Sequence, residues 1–81
     1  MQYLFDDDHD NEVEGTRVEV IALLDSGDSM LAIVRAGCHD VVIISCCAPG
    51  QFWVEGNPDP VVGGENAVRC AEETMEARPF R

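Results

Sequence analysis

Four short apolar runs, separated by turn-forming residues, constrain the fold of this 81-residue chain more than any other feature. The runs are rich in branched and aromatic side chains, which favour β-strands. The connections between them are so short that neighbouring strands must be antiparallel. The predicted strands are Arg17–Leu24, Met30–Arg35, Val41–Cys47 and Gln51–Glu55.

Glycine-containing turns support this division. Residues 25–29 read Asp-Ser-Gly-Asp-Ser, in which Gly27 and Asp28 suit the centre of a tight hairpin with glycine at positive φ. Pro49 and Gly50 suit the two central positions of a type II turn. The first turn therefore joins the first two strands, and the second joins the last two.

The remainder of the chain predicts one helix, over residues 65–77 and ended by Pro79. Its apolar stripe is Ala67, Val68, Ala71 and Met75, and its polar face is Glu65, Arg69, Glu72, Glu73 and Glu76. The expected fold is α+β, an antiparallel four-stranded meander with one C-terminal helix packed on one face. It occupies residues 16–81 as a single domain, and residues 1–15 form an acidic N-terminal segment that is either ordered or a disordered tail.

The first three predicted strands carry apolar side chains on both faces, as in the run Val41-Val42-Ile43-Ile44. One short helix covers only part of such a sheet. We expect the remaining apolar surface to be covered by the N-terminal segment, a second copy of the chain or another partner.

Charge sets the class of partner. Sixteen acidic residues against five basic ones give a net charge of −11. Such a surface repels nucleic acid and anionic membranes and attracts a basic protein surface or a cation. The alternative is that the charge only keeps a small protein in solution.

The cysteines, Cys38, Cys46, Cys47 and Cys70, match no usual zinc spacing. A site built from Cys38, His39, Cys46 and Cys70 is an alternative to buried structural thiols. No segment predicts a membrane span or a signal peptide, so we expect a cytoplasmic protein with free thiols, no metal and no cofactor.

Acids alternate along the N-terminal segment, at Asp6, Asp8, Asp10, Glu12 and Glu14. In an extended chain they would line one edge about 7 Å apart, a spacing comparable to two phosphate steps of DNA. A calcium loop is the other reading, but Asn11 stands where an EF-hand requires glycine, and Arg17 where it requires glutamate.

The segment Leu23-Leu24-Asp25-Ser26-Gly27 resembles the active-site segment of retropepsin-like aspartic proteases, a hydrophobic strand that ends in Asp-Ser/Thr-Gly. The resemblance implies that Asp25 pairs with its copy in a second subunit and activates water. Asp28 departs from the small apolar residue of that family. No catalytic triad is evident, because His9 lies in the acid run and His39 in a turn.

In size, α+β composition and acidity, the chain resembles the small acidic inhibitors that phages encode, especially anti-CRISPR proteins. The resemblance has no diagnostic motif. It implies a stoichiometric inhibitor, acting in a bacterial host cell, that occupies a nucleic-acid-binding surface of a CRISPR effector. From charge alone the candidate binding residues are the five N-terminal acids and Glu72, Glu73 and Glu76, and Trp53 is either core or an interface anchor.

Overall fold

The computed structural model describes residues 1–6, 11–37 and 40–77, which form six strands and two helices. The strands make one antiparallel sheet in the order β2-β1-β3-β4-β5-β6. In chain order the elements are β1 (Gln2–Asp6), β2 (Glu12–Gly15), α1 (Arg17–Ser26), β3 (Leu31–Ala36), β4 (Asp40–Ala48), β5 (Gln51–Val54), β6 (Val61–Val62) and α2 (Gly64–Ala77).

The α+β class, the antiparallel pairing and the C-terminal helix on the sheet are confirmed. The last three strands of the predicted meander correspond to β3, β4 and β5, which pair consecutively. The predicted number of four strands was wrong. The hairpin of β1 and β2 extends the sheet beyond β3, and β6 extends it beyond β5. Part of the N-terminal segment therefore belongs to the same sheet as the rest of the chain.

Residues 17–26 form a helix, so the predicted strand Arg17–Leu24 was wrong. The Thr16 side chain accepts a hydrogen bond from the Glu19 N–H, and the Glu19 carboxylate accepts one from the Thr16 N–H. This capping box starts the helix, and Gly27 ends it at φ 80°. Gly27 thus has the expected positive φ, but as a helix cap rather than a hairpin centre.

Both helices pack on the same face of the sheet and enclose a single core. Every second strand residue faces them, including the buried Val34, Ile44 and Phe52. Val20 and Leu24 of α1 join this core. The predicted stripe of α2 is also buried there, as Ala67, Val68, Ala71 and Met75. Burial of these side chains supplies the main stabilising term of the fold.

Candidate protein-binding surface

The alternating acids do not form one extended row, because the chain folds back between β1 and β2. Asp6 stands opposite Glu12, and Glu14 stands opposite Leu4. Opposed residues of an antiparallel pair project to the same face, so Asp6, Glu12 and Glu14 share one face of the sheet. Asp8 and Asp10 lie outside the described residues. The three described acids therefore cluster across two adjacent strands.

This face is the one that does not carry the helices, and we call it the helix-free face. Leu4, Ile33 and Ile43 are direct neighbours across β1, β3 and β4. Ser45 is paired with both Leu31 and Trp53 in the next row. The apolar side chains of the helix-free face are Leu4, Leu31, Ile33, Val41, Ile43, Trp53 and Val62.

The apolar part of this face is uneven in its exposure. Leu4 is only 7% exposed, whereas Ile43 is 39%, Trp53 is 44% and Val62 is 65% exposed. No helix of the described chain packs on these side chains. The expectation of uncovered apolar surface concerned the first three predicted strands under one helix. The first of these is the helix α1, and two helices cover the other face of the sheet; exposed apolar side chains on the helix-free face lie in β4, and also in β5 and β6.

A row of polar side chains borders the apolar surface at the end near residue 2. Arg35 Nε donates to Gln2 Oε1 at 3.0 Å, and Gln2 Nε2 donates to Glu14 Oε2 at 3.3 Å. Gln2 thereby connects the arginine of β3 to the carboxylate of β2. The contact with Gln2 uses the Arg35 Nε–H and leaves the positive charge of Arg35 on the same face as the carboxylates of Asp6, Glu12 and Glu14.

The helix acids have different environments. Glu73 and Glu76 are exposed on α2, but Glu72 is half-buried and bound by other side chains. Arg17 donates from Nε to Glu72 Oε2 at 2.8 Å and from Nη2 to Oε1 at 3.1 Å. The Tyr3 hydroxyl also donates to Glu72 Oε2. Glu72 therefore links α2 to α1 and β1, whatever else it contacts.

Tyr3, Arg17 and Glu72 form what we call the Glu72 cluster, and their contacts shift the pKa values of Glu72 and Tyr3. Hydrogen bonds from Arg17 hold the pKa of Glu72 below its ordinary value, against the opposing effect of burial. Burial and the hydrogen bond to Glu72 raise the pKa of Tyr3 above its ordinary value. Sequence reasoning missed this cluster, because Tyr3, Arg17 and Glu72 lie far apart in the chain and no local pattern joins them.

Asp25 lies in the last turn of α1 and not at the end of a strand. Its Oδ1 accepts a hydrogen bond from the Gly64 N–H at the start of α2, at 2.7 Å. Ser26 Oγ donates to the Leu23 carbonyl oxygen. The strand-and-loop geometry that the protease resemblance implies is therefore absent around Asp25, whose carboxylate caps the second helix.

The cysteines of the alternative zinc site divide between described and undescribed parts of the chain. Cys46 and Cys70 are half-buried free thiols, and Cys38 and His39 lie outside the described residues. Within residues 1–6, 11–37 and 40–77, no three His, Cys, Asp or Glu side chains are grouped as metal ligands would be. No helix in these ranges is long and apolar enough to cross a membrane.

Comparison with protein-family models, curated proteins and solved structures found no significant match to this chain.

Proposed function

We propose that this chain is a protein-binding inhibitor that occupies a basic, nucleic-acid-binding surface of its partner. The observation that supports this best is the grouping of Asp6, Glu12 and Glu14 on the helix-free face, which also carries exposed apolar side chains on β4, β5 and β6. Carboxylates attract arginine and lysine over a distance, and apolar contact then stabilises the complex. A surface for solubility alone requires no such juxtaposition.

The charge of the whole molecule supports the same class of partner. A net charge of −11 opposes direct contact with DNA or RNA and accelerates encounter with a basic protein. Glu12 and Glu14 are two residues apart on one strand, a separation of about 7 Å. That distance is close to two base-pair steps of about 3.4 Å along one DNA strand, so the carboxylates suit side chains that bind phosphates.

The candidate partner class is a CRISPR effector, as the general resemblance to anti-CRISPR proteins implies. A small acidic domain bound in the guide or target channel would compete with nucleic acid by occupying the same cations. Inhibition would then be stoichiometric and would require no catalytic residue, cofactor or metal.

An electrophoretic mobility assay tests the proposal directly. Guide-RNA-loaded effectors of several types are mixed with labelled target DNA, with and without an equimolar amount of the protein. We expect at least one effector to lose DNA binding. We also expect the affinity of the protein for that effector to fall as ionic strength rises from about 0.05 to about 0.5 M, because salt screens charge pairs.

Two matched sets of substitutions locate the surface. Replacing Glu12 and Glu14 by Gln should weaken inhibition, and replacing Glu73 and Glu76 by Gln tests the competing acidic surface on α2. Weakening by the α2 pair alone would move the site to that helix. Unchanged DNA binding by every effector would contradict the assignment to this partner class.

A further inference from the structure

We infer that the helix-free face is a docking surface for a basic amphipathic segment of a partner protein, with Trp53 and Ile43 at its apolar centre. The inference rests on the proposed function in one respect, namely that the partner is basic. It goes further by naming the apolar centre of that face and the chemistry of the bound segment. That segment presents apolar side chains to the face and arginine or lysine to the β1–β2 hairpin.

The first argument is the exposure of large apolar side chains on neighbouring strands. Ile43 lies in β4, Trp53 in β5 and Val62 in β6, and all three project from the same face. Their exposed fractions are 39%, 44% and 65%. Scattered single apolar residues are ordinary on protein surfaces, but exposed large side chains on three successive strands form a patch suited to an interface.

The second argument is the negative charge carried by the same face. Asp6, Glu12 and Glu14 lie on this face in β1 and β2, and β3 separates them from β4, where the patch of Ile43, Trp53 and Val62 begins. Arg35 of β3 adds one positive charge against these three carboxylates, and its Nε donates to the neutral amide of Gln2. A second copy of the chain, also at −11, would meet long-range repulsion on approach. A basic partner gains from the same field, so the observations favour it over a homodimer.

Trp53 provides a direct readout, because it is the chain's one tryptophan and lies within the patch. The probe is a capped synthetic peptide of about ten residues, alternating arginine and leucine and containing no aromatic residue, a length typical of a long strand. Its binding is followed by the emission of Trp53 and by acrylamide quenching, at low and high ionic strength.

We expect the peptide to shift Trp53 emission to shorter wavelength, to reduce quenching, and to bind more weakly at high salt. Ile43→Ser should weaken binding at least about fivefold, as truncation of a central interface residue does, and Val62→Ser, on the edge strand β6, should weaken it less. Val18→Ser is the matched control, since Val18 is 74% exposed on α1, and it should leave the affinity unchanged. Circular dichroism checks that each variant is folded.

Three results would overturn the inference. The peptide could bind without altering Trp53, which places it on another surface and leaves the acidic-surface proposal intact. It could fail to bind at low ionic strength. Sedimentation could also show a dimer in which Trp53 is already protected from acrylamide, so that a second copy occupies the face. Because the peptide experiment uses no effector, its outcome is separate from that of the DNA-binding assay.

Discussion

The carboxylate of Asp25 accepts a hydrogen bond from the backbone N–H of Gly64 at 2.7 Å, which joins the end of α1 to the beginning of α2. The two helices approach closely at this point because Gly64 has no side chain. A Cβ added there would lie 2.9 Å from both Asp25 Oδ1 and the Ile21 carbonyl oxygen. The contact orients both helices over the sheet.

Gly64→Ala should therefore destabilise the protein. The backbone oxygen of Ile21 has little freedom to move, so the helices must separate, and overpacking of this kind costs about 1–3 kcal/mol. Urea unfolding followed by circular dichroism measures the change. Glu65→Ala, at the exposed neighbouring position, is the control and should have a much smaller effect. Equal stability of Gly64→Ala and the wild type would mean that the helices do not pack this closely.

Asp25→Ala should remove the cap of α2. Loss of a helix-capping side chain costs about 0.5–2 kcal/mol. Asp25→Asn should cost less, because the amide oxygen still accepts the hydrogen bond from Gly64. Thermal unfolding compares the two variants. If Asp25 did not cap α2, Asp25→Ala and Asp25→Asn would have the same melting temperature.

The Glu72 cluster should make stability fall on the acid side. The folded-state pKa of Glu72 lies below its ordinary value, so its contribution is present above the unfolded-state pKa. That contribution is lost as pH falls through the folded-state pKa, when the carboxylate binds a proton and weakens its pairing with Arg17. Urea titrations at several acidic pH values should show a shallower loss for Glu72→Gln than for the wild type. Glu73→Gln is the exposed control and should lose stability with falling pH as the wild type does. If Glu73→Gln instead showed the same shallow loss as Glu72→Gln, the assignment to Glu72 would be contradicted.

Tyr3 should make the stability of the fold fall at alkaline pH. Its pKa is raised, so the folded state favours the neutral hydroxyl. The stabilisation is complete below the unfolded-state pKa of tyrosine and is lost as pH rises through the folded-state pKa. Tyr3→Phe should be less stable than the wild type near neutral pH and should lose less stability in alkali. Parallel alkaline curves for the two proteins would refute this.

Added salt should stabilise the fold, because it screens the repulsion between the carboxylates of Asp6 and Glu12. Asp6 and Glu12 are directly opposed across β1 and β2, and like charges in that position repel. Glu12→Gln should raise the melting temperature by a small amount at low ionic strength and by less in high salt. Asp59→Asn, which removes one negative charge at an exposed position between β5 and β6, is the control for the effect of net charge. An equal rise for both variants would show that the opposed pair has no specific effect.

Local sequence information was sufficient for β3, β4, β5 and α2. Alternation of side chains and nearby turn residues specify such strands, and the spacing of Ala67, Val68, Ala71 and Met75 specifies one helical face. The burial of that stripe confirms the helix prediction. In each case the determining signals lie within a few residues of one another.

Residues 17–26 show where two local signals conflict. Val18, Val20 and Ile21 are branched and favour a strand, whereas Thr16 and Glu19 form a capping box. The helix prevails because its caps are satisfied and because Val20 and Leu24, four residues apart, reach the same core. The capping box was present in the sequence and was the signal that could have identified the helix.

From the amino-acid sequence alone it follows that Glu12 and Glu14 share a face of any strand that contains them, because side chains alternate with a period of two. The acidity and the excess of apolar strand surface follow from the sequence as well. The folded chain is needed to place Glu14 opposite Leu4, in a row that continues through Ile33 to Ile43, and to bring Arg17 and Tyr3 to Glu72. In the chain, β2 and α1 lie between β1 and β3, so the pairing of β1 with β3 depends on how the whole chain closes around its core rather than on any local pattern.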